Sequence, residues 1–147
     1  MSTVFSKIIS GEFPGRFVWA DEKVVAFLSI GPLTKGHTLV VPREEIDKWT
    51  EAPGDLVSHA TSVAQIIGQA QVEAFSAERA GLMIAGFEVP HMHVHVWPVN
   101  SLEDFNLANV RNDVPDAEFD DAAHLLRVAL RQAGHEQFVA DAGPLPA

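Results

Sequence analysis

The sequence predicts an α+β fold: a mainly antiparallel five-stranded sheet packed against one long helix, with a further helix near the C-terminal end. Three observations carry this. Five short apolar runs are bounded by Gly, Pro or Asp. One long central stretch repeats apolar residues at helical spacing. The order is strands, long helix, strands, which disfavours the regular alternation of a parallel doubly wound sheet.

Val4 to Ile9 is short and apolar and is closed by Ser10-Gly11 and Pro14-Gly15, so it reads as one or two helical turns. Arg16–Ala20 and Lys23–Leu28 read as a hairpin joined at Asp21-Glu22. A loop containing Gly31-Pro32 and Lys35-Gly36 leads to a third strand, His37–Pro42, and Glu44–Trp49 reads as a short helical turn. From Gly54 to Phe75, Leu56, Ala60, Val63, Ile67, Ala70 and Ala74 fall on one helical face, and Pro53 and Asp55 suit its first turn. Ala80–Gly86 and Val89–Val96 follow as the fourth and fifth strands. After a loop with Asp104, Asn106, Asn109 and Asn112, a helix runs from about Asp116 to Ala133. Phe119, Ala122, Leu126, Ala129 and Ala133 share one side of it. The tail after Gly134, ending Gly143-Pro144-Leu145-Pro146, reads as loosely ordered.

At 147 residues the chain suits one domain, long enough to bury a real core. Its 47% hydrophobic and 20% charged residues are ordinary for a globular protein. The absence of cysteine excludes disulfides and thiolate metal sites. The N-terminal stretch lacks a long apolar segment, and no run approaches the roughly 20 apolar residues that span a bilayer. The expectation is a cytoplasmic protein without a membrane partner. A net charge of −10 disfavours nucleic-acid binding by phosphate neutralisation. It leaves room for a small phosphorylated substrate held by local donors.

Function is expected in Pro90-His91-Met92-His93-Val94-His95-Val96-Trp97-Pro98. In an extended strand successive side chains alternate, so the three imidazoles share one face while Met92, Val94 and Val96 cover the other. Three readings compete. A metal site is possible, but residues two apart lie roughly 6.5 Å from one another along a strand, so three ligands converge poorly on one ion. Two of them with a distant carboxylate or His37 remain possible. A merely solvated sheet face is a second reading; it suits the isolated His59, His124 and His135 better than a run of three. The third is covalent catalysis, in which a neutral imidazole attacks an electrophile while its other ring nitrogen is fixed as N–H. His93, with a histidine on either side, is then the nucleophile.

Three blocks in order make a resemblance specific. His91-Met92-His93-Val94-His95-Val96-Trp97 matches the His-x-His-x-His-x-x signature of the histidine triad (HIT) family. Thr34-Lys35-Gly36-His37-Thr38-Leu39-Val40-Val41-Pro42 resembles that family's second motif. Val4-Phe5-Ser6-Lys7-Ile8-Ile9 with Glu12-Phe13-Pro14 is similar to its N-terminal block. Together they cover about residues 3–100, leaving a C-terminal helical extension of about 101–147. The branch most resembled hydrolyses nucleoside phosphoramidates and similar nucleotide conjugates.

That resemblance implies specific roles. His93 would attack the α-phosphorus of a purine nucleotide conjugate, giving a nucleotidyl-histidine that water hydrolyses. His95 would contact the phosphate and assist the leaving group, with imidazolium near neutral pH as proton donor. His91 and His37 would complete a hydrogen-bond set that fixes the His93 tautomer, with the carbonyl beside His91 as a partner for its ring N–H. Val4, Phe5, Ile8, Phe27, Ile30 and Leu39 would line the base slot. The resemblance implies a homodimer through the long helix and an adjacent strand, and no cofactor or metal. Departures from the family pattern bear on nucleoside selectivity. Ser29 stands where the family carries an aspartate that grips the ribose hydroxyls. Phe87 replaces a usual glutamine, and Glu88 stands where some members have a serine near the phosphate. The connection from Met83 to Gly86 is also short. A nucleotide-binding module with little turnover, and a metal-binding protein using the histidine run, remain the alternatives.

Overall fold

The computed structural model describes residues 2–140. In chain order it contains α1 (Val4–Ile9), β1 (Phe17–Ala20), β2 (Val24–Leu28), β3 (Thr38–Pro42), α2 (Gly54–Phe75), β4 (Arg79–Met83), β5 (Val94–Val99) and α3 (Asp116–Gln132). Single 3-10 turns lie at Trp49–Glu51, Leu102–Phe105, Leu107–Asn109 and Glu136–Phe138. The strands form one five-stranded antiparallel sheet in the order β1-β2-β3-β5-β4. The α+β architecture expected from the sequence is the one observed. The histidine-bearing β5 is inserted between β3 and β4, so both of its edges are paired.

Local chemistry explains the elements. Thr3 caps α1, its hydroxyl oxygen accepting the Ser6 N–H at 3.1 Å. At the β1–β2 turn Asp21 Oδ1 accepts the N–H groups of Lys23 and Val24 at 2.8 and 2.9 Å. The α2 helix stops at Ser76, which adopts a left-handed conformation with φ 51°.

Strand alternation then sorts the side chains into two layers. Val24, Ala26, Leu28, Val40, Met92, Val94 and Val96 face α2 and α3, packing with Leu56, Ala60, Val63, Ile67, Leu126 and Leu130. Phe17, Val25, Phe27, Leu39 and Val41 point the other way and close around Phe5 of α1. Burial of the first set drives folding; the second set forms the floor on which the histidines stand.

Several expectations shift. The fifth strand starts at Val94, not Val89, because Pro42 is the residue that would face Met92 in register. Proline has no N–H to give the ladder, and the Pro42 carbonyl is taken by the His91 ring. Met92 donates instead to the carbonyl of Ile46 at 2.6 Å. The fourth strand runs Arg79–Met83 and not to Gly86. Glu44–Trp49 forms no helical turn; the 3-10 turn comes at Trp49–Glu51. On α3, Ala133 is exposed, and Ala123 and Leu130 are buried in its place.

The start of the tail is also held. Phe138 stacks on Trp19 with centroids 4.9 Å apart, and Arg127 donates to the carbonyls of both Phe17 and Ala140. Gly143–Pro146 lies outside the described residues. Among the described residues no helix is long and apolar enough to cross a membrane.

Candidate active site

One row of register partners crosses the whole sheet: Phe17, Phe27, Leu39, His95 and Met83. It places an imidazole at the end of an apolar aromatic strip. Phe5 covers this strip, its ring meeting that of Phe27 edge-on at 5.7 Å and that of His93 at 4.8 Å.

His91 and His93 precede β5, yet their rings stay on its His95 side. Phe5 touches both, and the His93 and His95 centroids are 4.9 Å apart. His91 and His93 are 0% and 6% exposed. Burial makes each ring nitrogen's partner decisive, because an unmet polar group there is costly.

The partners assign every tautomer. The His91 carbonyl can only accept, so His93 Nδ1, 2.8 Å away, carries the proton and Nε2 keeps its lone pair. By the same reasoning His91 Nε2–H donates to the Pro42 carbonyl at 2.7 Å, and its Nδ1 accepts the Thr3 hydroxyl at 2.7 Å. The Leu33 N–H donates to His37 Nδ1 at 3.0 Å, so His37 Nε2–H donates to His95 Nδ1 at 3.0 Å. His95 is left with its proton on Nε2. The outcome is one free imidazole lone pair, on His93, beside one free imidazole N–H, on His95.

Burial also fixes charge. It pushes the His37 imidazole down to about 3 and that of His95 down to about 4, with a neighbouring histidine adding to each shift. His91 and His93 are likewise lowered by burial; hydrogen bonds to Pro42 and His91, and the charges of Glu45 and Glu88, oppose the shift. The unliganded site is neutral at pH 7. An imidazolium at His95, expected from the sequence, is therefore replaced by a neutral donor.

The named positions do not all converge. Phe5, Phe27 and Leu39 are buried together with Ile8 packed against them. Val4 and Ile30 are 39% and 87% exposed and belong to no cluster. Glu88 is exposed. Ser29 is half-buried, and its Oγ accepts the Gly31 N–H at 3.3 Å. His37 serves His95 and not His93, and His91 orients His93 through its carbonyl. With His37 and His91 Nδ1 already occupied by donors, only His93 offers a lone pair, and no group of three metal-ligating residues occurs among the described residues.

Sequence reading missed several supporting residues. Thr3, which caps α1, also meets a ring 88 positions away, a pairing that no local pattern marks. The Leu33 amide and the Pro42 carbonyl are backbone groups and leave no side-chain signal. Trp97 stacks on His37 at 5.3 Å and 25°, its indole N–H held by the Asp104 carbonyl at 2.8 Å.

Fold and site together define a histidine triad protein. The chain belongs to the HIT family: the HIT domain profile matches residues 10–102. It is 33% identical over 140 residues to an uncharacterised HIT-like protein of Mycobacterium tuberculosis, covering 90% of this chain and 95% of that one. The crystal structure of a zinc-bound histidine triad family protein from Mycobacterium smegmatis superposes with a TM-score of 0.78 at 34% identity, covering 90% and 96% of the two chains. An adenylylsulfatase of Arabidopsis thaliana is 31% identical over 100 residues, which are 65% of this chain and 51% of that protein.

Proposed function

We propose that this HIT protein is a hydrolase or nucleotidyl transferase that cleaves nucleoside phosphoramidates, or related nucleotide conjugates, through a nucleotidyl-histidine on His93. The observation that carries this reading is the 2.8 Å bond from His93 Nδ1–H to the His91 carbonyl, which frees Nε2 for attack. The kinship with an adenylylsulfatase supports cleavage at a nucleotide phosphorus.

The steps balance as follows. His93 Nε2 donates its pair to the α-phosphorus as the P–N bond breaks, and that bonding pair leaves with the amine nitrogen. The rings are neutral, so the substrate enters the complex with one proton taken from solvent onto a phosphoryl oxygen. His95 Nε2–H, aligned by His37, gives its proton to the departing nitrogen as Nε2 takes up the one held on that oxygen. Water then attacks phosphorus, the P–Nε2 pair returns to His93, and the water proton goes back to solvent. The strip of Phe5, Ile8, Phe27 and Leu39 receives a purine base, with Ser29 on the ribose side.

Intact-mass measurement after mixing with an adenosine phosphoramidate tests this. An added adenylyl mass on wild type, absent from His93→Ala, is expected. A nucleotide that binds without adduct or turnover would instead indicate a binding module.

The proposal extends to assembly as a homodimer. β4 is a sheet edge, and beside it α2 and β4 frame a groove of about 930 Å³ whose lining mixes apolar residues such as Val72, Ala80 and Leu82 with polar ones such as Thr61, Gln65 and Gln69. Unpaired among the described residues and next to an exposed Leu82, that edge suits a second copy of the chain.

A further inference from the structure

One buried amide grips the backbone on both sides of the His37–His95 pair. Gln71 lies on α2 and is 0% exposed. Its Nε2 donates to the carbonyl of Gly36 at 3.0 Å and to that of Val96 at 2.8 Å. Gly36 immediately precedes His37, and Val96 immediately follows His95. A single side chain therefore ties together the two segments whose imidazoles meet at 3.0 Å.

The surroundings argue that this tie is specific. Gly36 has φ 94°, and a Cβ there would come within 2.3 Å of the Phe75 ring, one turn further along α2. The Thr38 hydroxyl donates to the same Gly36 carbonyl at 2.8 Å. The segment leading into His37 is thus gripped by α2 through both an amide and a ring. The Oε1 atom of Gln71 has no hydrogen-bond partner among the described residues. A buried acceptor without a partner costs stability, and an apolar side chain of equal volume would avoid that cost. What only the amide supplies is two donated bonds of fixed geometry.

We propose that Gln71 is a positioning residue that sets the His37–His95 register, and with it the aim of His95 Nε2 at the leaving group. It touches neither substrate nor the reacting atoms. The inference rests on the assignment of His95 as the group that protonates the leaving group.

Gln71→Met matches the volume and removes both donors; Gln71→Glu keeps the shape and guards against a packing artefact. Each is assayed with two substrates: an adenosine 5′-alkylphosphoramidate, whose amine must be protonated, and the 4-nitrophenyl ester of AMP, whose leaving group need not be. Expected is a loss in kcat of the order of tenfold or more on the phosphoramidate, with KM little changed, and near wild-type turnover of the ester. Equal losses on both substrates, or no loss on either, would overturn the proposal.

Imidazole ¹⁵N spectra give a readout independent of turnover. Wild-type His95 is expected as a single Nε2–H tautomer and each variant as a mixture. Identical spectra would also overturn the proposal. If wild type turns over neither substrate, the functional reading fails, and the spectra alone decide the role of Gln71.

Discussion

His37 Nε2 and His95 Nδ1 stand 3.0 Å apart although 58 residues separate them in the chain. The Leu33 N–H behind His37 gives the pair a direction: its protons point from His37 toward His95, and from His95 toward the open side. Beside it His93 is polarised the opposite way, with its proton turned inward and its lone pair outward. A free N–H and a free lone pair thus stand next to each other, their directions traced to the Leu33 amide and the His91 carbonyl, which cannot titrate.

Replacing His93 with Ala or Asn is expected to abolish phosphoramidate turnover, because no other ring in the site offers a free lone pair. His95→Ala should lose most activity on amine leaving groups while keeping more on those that need no proton. Steady-state rates with a substrate pair of each kind check this. Near wild-type turnover by His93→Ala, or activity lost to a chelator and restored by zinc, would refute the covalent assignment.

Acid should inactivate later than an ordinary histidine would dictate. Because burial lowers His93, the loss of kcat/KM in acid that follows its protonation is expected only below pH 6.5. A midpoint at or above 6.5 in the kcat/KM profile would contradict the environment described here.

Stability should respond to the same burial. The folded pKa values of His37 and His95 are lowered to about 3 and 4, so below about 6.5 the unfolded chain takes up protons that the native state does not. Their contribution is fully present above that pH. It is lost as pH falls toward 3–4, at about 1.4 kcal/mol per pH unit for each histidine. Urea midpoints at pH 7 and pH 5 measure it, and His37→Asn should flatten part of the slope. Equal midpoints for wild type at the two pH values would count against neutral buried rings.

Ser29→Asp should strengthen discrimination in favour of ribonucleotides over their deoxy analogues. A charged acceptor for a ribose hydroxyl is worth roughly 1.5–3 kcal/mol at most. Calorimetric titration with AMP and dAMP reads the difference. Equal affinities for the two in both variants would show that residue 29 does not face the sugar.

Sedimentation at micromolar concentration should give the mass of a homodimer. Leu82→Lys, which puts a charge on the exposed edge of β4, should shift the chain toward monomer. A monomer mass for wild type would rule out pairing at that concentration.

Much was written locally. The spacing of Leu56, Ala60, Val63, Ile67 and Ala70 marked α2 to its first and last residue, since helical periodicity needs only near neighbours. The alternation around His93 likewise marked one face for imidazoles and the other for core. Other features depended on contacts between distant segments. β5 loses its first residues because Pro42, fixed in β3, cannot extend the ladder, and the Leu33 amide sets the direction of a histidine pair. Gln71 reads in the sequence as one polar residue within a helix; only packing brings it against two carbonyls, 35 and 25 residues away. The sequence by itself therefore determined which imidazoles are brought to one face and which side chains fill the other. Tertiary structure alone decided the strand order, the tautomers and the charge, because each is set by hydrogen bonds and desolvation that arise only when remote segments meet.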